Sequence, residues 1–458
     1  MIYEPEFESM PRDQLQALQS RRLRDLMSYV YDRVPFYRRK LDEAGIRPES
    51  VSCVRDLPRL PLTRKSDLRD NYPFGLFAVP MNQITRIHAS SGTTGKPTVV
   101  GYTCADIDLF ARVNARSLAM AGAEPGMILH NAYGYGLFTG GLGLHYGGER
   151  LGMAVVPVSG GMTERQITLI TDFRPEVVAS TPSYALTLGQ ELQRRGVRPS
   201  EISLRFALLG AEPWTPAMRA EVDACLGVRS CNLYGLSEIV GPGVACECIE
   251  ARDGSHVCED HFLPEIVDPA TGEPLPEGNE GVLVITTLTK QALPLVRYWT
   301  GDITRLSYEP CRCGRTLARM GLVKGRTDDM LIIRGVNVYP SEVGMALGRL
   351  PELSPHYRVV VTRERTLDEM EIQVEVTDEF LRIVGTETLS EEFVERNQLA
   401  QSLRGRAGHA LREALGVGAR VTLATPGSLP RSEGGKLLRV QDLRDLARGS
   451  GVPAIQGG

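Results

Sequence analysis

The sequence predicts an α/β protein with a large N-terminal domain of layered sheets and helices, followed by a small α+β C-terminal domain. At 458 residues, the chain is longer than one ordinary hydrophobic core accommodates. Between residues 98 and 209, short apolar runs bounded by turns alternate with amphipathic helical patterns, which indicates buried strands covered by helices. Beyond residue 330, strand-like runs flank one long helical pattern, and about 120 residues suffice for a separate domain.

The composition is that of a globular protein, with 42% hydrophobic and 24% charged residues. The net charge of −4 has both signs mixed, which gives no general attraction for nucleic acid. The first six residues are acidic where a signal peptide is basic, and no stretch approaches 18 uncharged apolar residues, so we expect no signal peptide and no membrane contact. Nine cysteines, an odd number, favour a reducing compartment, and we expect a cytoplasmic protein.

The predicted elements follow in order along the chain. Leucines spaced three and four apart predict helix over 12–45, and Thr63–Leu68 is typical of a helix start, where Lys65 is either a ligand for an anion or a solvated charge. Further helices are predicted over 105–121, 163–173, 184–195 and 392–415, and strands over 98–102, 127–129, 153–156, 177–179, 206–209, 357–362, 370–376 and 420–423. An apolar strand broken by a glycine loop is predicted over 330–340. The glycine-containing tail, residues 447–458, is expected to be disordered.

The densest chemical signal is the stretch from Ser90 to Pro97, SSGTTGKP. Glycines let main-chain N–H groups approach an anion, hydroxyls add donors, and a lysine adds positive charge, which is what a polyphosphate requires. The common P-loop is excluded, because only two residues separate Gly92 from Gly95 and a proline follows Lys96. A surface turn rich in serine, threonine and glycine is the alternative.

This stretch resembles the phosphate loop of the adenylate-forming superfamily, and other motifs of the superfamily recur in order along nearly the whole chain. The resemblance is greatest to its phenylacetate–CoA ligase members. The matching motifs are GAEP at 210–213, YGLSE at 234–238, YWTGD at 298–302, GRTDD at 325–329 and PRSEGGKL at 430–437. Taken singly, the YGLSE motif is more typical of a turn and a surface charge, and the lysine of the last motif is more typical of a surface residue.

The resemblance implies roles that suit the chemistry of these residues. Tyr234 would stack on the purine, Glu238 would supply a hard oxygen to Mg²⁺, and Asp302 would accept the ribose hydroxyls. Arg326 would contact the ribose and phosphates, and Lys436 would be a catalytic lysine. The full implied set for ATP is Ser90, Ser91, Gly92, Thr93, Thr94, Gly95, Lys96, Gly210, Ala211, Glu212, Pro213, Tyr234, Gly235, Ser237, Asp302 and Arg326, with Lys96 also catalytic.

The resemblance also implies how the domains divide. Asp328 matches the hinge about which the small domain of the superfamily turns. We therefore expect an N-terminal domain over 1–327 that binds ATP and the acid, and a mobile C-terminal domain over 328–446.

A glycine–aromatic segment, Tyr133–Gly141, resembles the aryl-pocket segment of the phenylacetate–CoA ligases. Glycines allow close backbone approach beside flat apolar walls, although glycine-rich packing alone is equally common. The implied aryl-binding residues are Tyr135, Gly136, Phe138, Ala211 and Pro242.

Cysteines and one histidine form the last candidate site, which is a zinc site. A three-residue hairpin loop, Arg252–Gly254, would place Cys248 opposite Cys258 and His256 opposite Glu250, with Gly254 in the left-handed region. The possible ligands are Cys246, Cys248, His256, Cys258, Cys311 and Cys313. The residues alone do not choose four of these, and six reduced cysteines without metal is the alternative.

Superfamily members with a similar Cys-x-Cys-Gly insert imply a particular zinc set, Cys248, His256, Cys311 and Cys313. Because these residues lie outside the nucleotide motifs, the expected role of the zinc is structural. Other phenylacetate–CoA ligases lack the insert, so this chain departs from the pattern it otherwise resembles most.

The resemblance predicts an aryl-acid CoA ligase that uses ATP, Mg²⁺ and coenzyme A, forming an aryl-acyl-adenylate and then a thioester. An enzyme that loads the aryl acid onto a carrier protein is the first alternative, and a nucleotide-binding regulator without turnover is the second. A homodimer is possible. A serine hydrolase is excluded, because the chain has no Gly-x-Ser-x-Gly elbow.

Overall fold

The computed structural model describes residues 1–90, 97–327, 329–334, 336–364, 367–432, 437 and 439–444. The α-helices are α1 Pro5–Glu8, α2 Arg12–Arg33, α3 Pro35–Glu43, α4 Lys65–Asp70, α5 Cys104–Met120, α6 Gly140–Leu151, α7 Thr163–Phe173, α8 Pro182–Arg194, α9 Pro216–Leu226, α10 Pro340–Leu347, α11 Asp378–Val384, α12 Glu391–Arg396 and α13 Gln398–Leu415. Among these described residues, no helix combines the length and the apolar composition that crossing a membrane requires.

The strands alternate with the helices in the first half of the chain, as predicted. They are β1 Arg86–Ser90, β2 Thr98–Tyr102, β3 Ile128–Asn131, β4 Ala154–Val156, β5 Val177–Ser180, β6 Phe206–Gly210, β7 Arg229–Leu236, β8 Gly241–Glu247, β9 Ser255–Val257, β10 Phe262–Val267, β11 Gly281–Thr287, β12 Tyr298–Thr304, β13 Leu306–Ser307, β14 Arg319–Met320, β15 Gly325–Arg326, β16 Leu331–Ile333, β17 Val336–Val338, β18 Leu353–Glu364, β19 Leu367–Val376, β20 Arg420–Ala424 and β21 Val440–Asp442.

The chain separates into two compact units. The larger unit contains Met1–Glu212 and Val222–Val323, and the smaller contains Pro213–Glu221, Lys324–Ser432 and the described residues that follow. The predicted hinge, Asp328, lies outside the described residues, so the boundary at 327/328 stays a prediction.

The larger unit is built on a nine-stranded sheet with the order β13-β14-β9-β8-β7-β6-β5-β3-β4. Strands β3 to β7 run parallel and β8 reverses direction against β7. All four residues of β5 are buried, as expected for a parallel strand covered on both faces. The α/β prediction is therefore confirmed for this region.

A second antiparallel sheet in the larger unit contains β10, β11 and β12. All seven residues of β11 are buried, and its apolar run GVLVITT was the available signal for this sheet, which the sequence analysis missed. Helix α5 contributes to the hydrophobic clusters of both sheets, through Phe110 and Val113 on one side and Leu118 and Met120 on the other. The two sheets and the helix between them make the layers that the sequence predicts.

The helix predicted over 12–45 is divided into α2 and α3. Val34 between them is extended, with φ −118° and ψ 101°, because Pro35 disfavours helical backbone at the residue before it. Likewise the helix predicted over 392–415 is divided at Asn397, whose side chain caps α13 by accepting from Ala400 N at 3.1 Å.

The smaller unit has a four-stranded sheet with the order β20-β19-β18-β21. Strands β18 and β19 pair antiparallel along most of their length, and β20 and β21 add parallel on either side. Helices α10 and α13 bury Val343, Leu403 and Leu411 in one cluster with Val359 and Ile372 of the sheet. This is the α+β arrangement predicted for the C-terminal part of the chain.

Candidate active site

Strand β6 ends at Gly210, where the GAEP motif begins. A Cβ at Gly210 would lie 2.0 Å from the carbonyl oxygen of Leu233, so only glycine fits between β6 and β7 at this point. Ala211 has φ +72°, and Glu212 Oε1 accepts a 2.6 Å hydrogen bond from Ser183 N in the first turn of α8. The motif therefore lies at the carboxyl end of a parallel strand, where α/β sheets bind ligands.

Tyr234 on β7 and Asp302 on β12 are brought together although 68 residues separate them. The Tyr234 hydroxyl donates to Asp302 Oδ2 at 2.6 Å, and Asp302 is only 4% exposed. The main-chain N–H of Asp302 donates to Thr300 Oγ1 at 3.0 Å, which fixes the carboxylate-bearing residue within the strand. The two residues that the resemblance assigns to purine and ribose are thus neighbours.

The turn between β7 and β8 contains Glu238. Gly235 and Gly241 approach so closely that a Cβ on Gly235 would lie 2.0 Å from Gly241 O. Ser237 Oγ lies 3.3 Å from Thr139 Oγ1 at the start of α6, and Glu238 is buried, as is Lys290. Lys290 Nζ donates to the main-chain oxygen of Glu238 at 3.1 Å.

Lys290 is a residue of this site that the sequence analysis missed. Burial is the main cause that lowers the pKa of Lys290 to about 8, whereas the negative charges of Asp106 and Glu238 act to raise it. The tripeptide Thr-Lys-Gln at 289–291 matches none of the motifs that the sequence analysis used. Its contact is with a main-chain oxygen, and such contacts have no signature in the sequence.

The glycine–aromatic segment connects β3 to α6. Asn131 Nδ2 donates to the Tyr135 hydroxyl at 2.8 Å, and His145 Nδ1 lies 3.2 Å from the same oxygen. Burial is the main cause that raises the pKa of Tyr135 to about 12, so the hydroxyl stays neutral. Gly136 has φ +131°, and Phe138 is 37% exposed, which leaves part of its ring accessible to a ligand.

Pro242 at the beginning of β8 lies close to the same helix. A Cβ on Gly143 of α6 would be 2.6 Å from Pro242 Cγ, so the glycines of α6 allow the helix to pack directly on β8. The Pro242 carbonyl accepts from Asn114 Nδ2 at 3.0 Å. The aryl segment and Pro242 therefore contact one helix, α6.

Strands β1 and β2 form an antiparallel pair in which Ser90 lies opposite Thr98. They flank the predicted phosphate loop, and Ser91, Gly92, Thr93, Thr94, Gly95 and Lys96 lie outside the described residues. Lys436 also lies outside them. Arg326 and Pro213 belong to the smaller unit, where Arg326 Nε lies 3.8 Å from Asp329 Oδ2.

Four of the six candidate metal ligands come together in the larger unit. Cys248, His256, Cys311 and Cys313 place one donor atom each within 4.8 Å of one another. Cys248 Sγ lies 3.7 Å from Cys311 Sγ, and Cys313 Sγ lies 3.4 Å from His256 Nε2. Zinc–sulfur bonds of about 2.3 Å in a tetrahedron separate two sulfurs by about 3.8 Å, so the donor spacing fits a zinc ion.

The strand register that the sequence analysis predicted here is wrong. Cys246, not Glu250, lies opposite His256, and Glu247 lies opposite Ser255. The connection runs from 248 to 254, because Arg252 N bonds to Cys248 O at 2.9 Å and closes a helical turn. Gly254 does have the predicted left-handed backbone, with φ +81°.

Cys246 and Cys258, the two candidates outside the cluster, are buried in hydrophobic packing. Cys246 Sγ donates to Ser117 O at 3.5 Å, and burial is the main cause that raises the pKa of Cys258 to about 12. Neither cysteine is among the four residues whose donor atoms converge, and both act as core residues in this structure.

The insert that carries Cys311 and Cys313 is tied to the beginning of the chain. Arg315 and Glu8 are both completely buried, and Arg315 Nε donates to Glu8 Oε2 at 2.6 Å. The Glu8 main-chain oxygen accepts from Thr316 N at 3.1 Å. Because a buried charge without its partner is very costly, these contacts fix the insert against α1.

Comparison with known proteins identifies the class. Residues 21–289 match the family described as AMP-binding enzyme, and residues 335–444 match the family described as AMP-binding enzyme C-terminal domain. The chain belongs to the AMP-binding enzyme family.

Among the curated proteins, the chain is similar to phenylacetate-coenzyme A ligases. It is 65% identical to that of Thermus thermophilus, over 97% of this chain and all of the relative. It is 52% identical to that of Escherichia coli, over 95% of this chain and 96% of the relative. Among solved structures, 2-hydroxyisobutyryl-CoA ligase in its postadenylation state, in complex with R3-HIB-AMP, matches with a TM-score of 0.87 at 29% identity, covering 97% of this chain and 93% of the other.

Proposed function

We propose that this protein is an aryl-acid CoA ligase, with phenylacetate as the first candidate substrate. The observation that carries the proposal is its 65% identity, across nearly the whole chain, to a phenylacetate-coenzyme A ligase. The aromatic segment around Tyr135 and Phe138 supports an aryl rather than a long aliphatic substrate. The overall reaction consumes ATP, an aryl acid and coenzyme A and releases AMP and pyrophosphate.

In the first step, a carboxylate oxygen of the acid attacks the α-phosphorus of ATP. A new oxygen–phosphorus bond forms, and the bond to the pyrophosphate leaving group breaks. The purine stacks on Tyr234, and the ribose hydroxyls donate to Asp302. The Tyr234–Asp302 hydrogen bond supports this assignment, because it holds both side chains in fixed relative positions before ATP binds.

Glu238 is the proposed ligand for magnesium in this step. Its burial and its position on the turn after β7 support an oxygen ligand at the edge of the nucleotide site. When bound, Mg²⁺ neutralises charge on the phosphates. Ser90 and the loop to Lys96 provide hydroxyl, main-chain and ammonium donors for the same phosphates.

In the second step, the thiolate of coenzyme A attacks the carbonyl carbon of the adenylate and AMP leaves. Rotation about Asp328 presents coenzyme A for this step. Lys436 acts in the first step, where it supplies positive charge for adenylation. Removing one preorganised donor typically costs a factor of about 10² to 10³. Lys436→Ala should therefore slow adenylation by that factor and leave transfer from supplied aryl-adenylate unchanged.

The zinc proposal assigns Cys248, His256, Cys311 and Cys313 as ligands of one structural ion. The donor spacing, with one atom from each residue within 4.8 Å of the others, and the burial of His256 support a site completed by a metal. Zinc bound here would crosslink the β8–β9 connection to the insert at 311–313.

The test is pyrophosphate release with ATP and a panel of phenylacetate, benzoate, acetate and palmitate, followed by thioester analysis with coenzyme A or a carrier protein. We expect release with the aryl acids and transfer to coenzyme A. A preference for acetate or palmitate would contradict the substrate class. Transfer only to the carrier protein would contradict the acceptor, and no release with any acid would contradict the enzyme.

A further inference from the structure

The turn after β7 is held mainly through its main-chain carbonyls. Within the turn, Ile239 N and Val240 N both donate to Leu236 O, at 3.1 and 3.2 Å. From outside the turn, Lys290 Nζ donates to Glu238 O at 3.1 Å, and the Tyr102 hydroxyl donates to Val240 O at 3.0 Å. Two side chains therefore fix the carbonyls on either side of Ile239.

Lys290 and Tyr102 are also in contact with each other. Lys290 Nζ lies 4.8 Å from the centre of the Tyr102 ring, and both residues are completely enclosed, at 2% and 0% exposure. An ammonium over a ring face is attracted by the ring electrons. The two donors form one unit that supports the turn.

Asp106 fixes the backbone that carries Lys290. Its carboxylate accepts from Gln291 N at 2.7 Å and from Ala292 N at 2.9 Å. The same carboxylate accepts from Thr103 N at 2.9 Å at the start of α5. The position of Lys290 is therefore set by α5, an element with most of its residues buried.

A buried ammonium is costly, and replacing a buried charge with a well-packed apolar side chain is often neutral or stabilising. Stability alone thus gives no reason for a lysine at this position. A reason appears at the other end of its hydrogen bond, because the residue whose carbonyl it holds is Glu238.

We propose that Lys290 is a positioning residue that orients Glu238 for the divalent cation of the metal–ATP complex, with Tyr102 as its partner. The inference rests on the proposed function, in which Glu238 is the magnesium ligand. Lys290 touches neither the metal nor the substrate. It fixes the main chain from which the Glu238 carboxylate extends, in the way that residues behind metal ligands generally orient them.

The test is Lys290→Met, which keeps a chain of similar length and removes the donor. Mn²⁺ binding in the presence of ATP, followed by electron paramagnetic resonance, is the direct readout. We expect Mn²⁺ affinity to fall about 10- to 100-fold, the range for residues behind metal ligands, while ATP binding in EDTA stays unchanged. The Mg²⁺ concentration for half-maximal pyrophosphate release should rise, and the KM for the aryl acid should not.

Two further variants make the result unambiguous. Tyr102→Phe removes the second bond to the turn and keeps the ring, and we expect a smaller loss in the same direction. Lys40→Met is the matched control, since Lys40 Nζ also donates to a main-chain oxygen, that of Leu62 at 2.7 Å. It should leave Mn²⁺ affinity unchanged.

The inference is overturned if folded Lys290→Met binds Mn²⁺ within twofold of the wild type, even when its melting temperature is lower. If Lys290→Met does not fold, Tyr102→Phe decides by the same criterion. A wild-type protein that releases no pyrophosphate with any aryl acid would contradict the proposed function. The Mn²⁺–ATP titration would still decide the role of Lys290.

Discussion

The two ends of strand β8 present polar clusters of opposite kinds. At its beginning, the turn with Glu238 and the neighbouring Tyr234–Asp302 pair are organised by hydrogen bonds to main chain and to one another. At its end, Cys248 lies in a cluster with His256, Cys311 and Cys313, in which one sulfur or nitrogen atom of each residue lies within 4.8 Å of the others. A seven-residue strand with about 3.4 Å per residue separates the clusters by roughly 20 Å. Because the two clusters are this far apart, the proposed metal site and the ATP-dependent chemistry should be separable by mutation in this chain.

The largest expected effect is at the cysteine end. Cys311→Ser should abolish binding of about one zinc per chain and lower the free energy of unfolding by about 4 kcal/mol or more, the range that marks loss of a metal site. Metal analysis and denaturant unfolding measure both quantities. Cys246→Ala is the matched control, which should keep the zinc and cost about 1 kcal/mol. Protein that contains no zinc before any chelator is added would contradict the proposal.

The next effect is at the nucleotide end. Asp302→Ala should slow adenylation by about 10² to 10³, because the ribose loses a charged acceptor close to the reacting phosphate. Zinc content should not change. Pyrophosphate release in single turnovers measures the step, and Asp172→Ala, at an exposed position, is the control. Loss of zinc together with activity would show that the two ends are coupled.

A buried histidine outside the cysteine cluster sharpens the contrast with His256. His130 Nε2 bonds to Gln166 Oε1, and burial is the main cause that lowers the pKa of His130 to about 4. Between about pH 6.5 and 4 the unfolded chain binds a proton here that the folded chain does not, so stability falls as the pH falls. Over this pH range the free energy of unfolding is expected to fall by about 3 kcal/mol because of His130. His130→Gln should flatten this slope in urea unfolding, and an unchanged slope would contradict the assignment.

The smallest expected effect concerns the acid. Phe138→Ala should raise the KM for phenylacetate about tenfold, since part of an aromatic contact is lost, and leave the KM for ATP unchanged. Steady-state kinetics with each substrate varied measures this. Phe173→Ala, which removes an aromatic ring that is 51% exposed on α7, serves as the control. Equal changes in both KM values would place Phe138 outside the acid site.

Local patterns predicted most of the fold because buried strands and amphipathic helices repeat along the chain. Strand β2 and helix α7 have the predicted bounds. The register of β8 and β9 was mispredicted, because the turn closed by Cys248 O and Arg252 N is a backbone arrangement that residue types do not specify. The cysteine cluster was chosen by the resemblance, whereas the residues alone left six candidates and no means of choosing four of them. Lys290 was missed because its partner is a main-chain oxygen.

The ion pair between Glu8 and Arg315 sets an order of events during synthesis. The two residues are 307 positions apart, and ribosomes add about 5 to 20 residues per second. The segment that includes Glu8 therefore waits about 15 to 60 seconds for its buried partner to emerge. During that time an uncompensated carboxylate and the apolar side chains beside it remain in solvent. The contacts of α1 with the insert consequently form only after most of the larger unit has been synthesised.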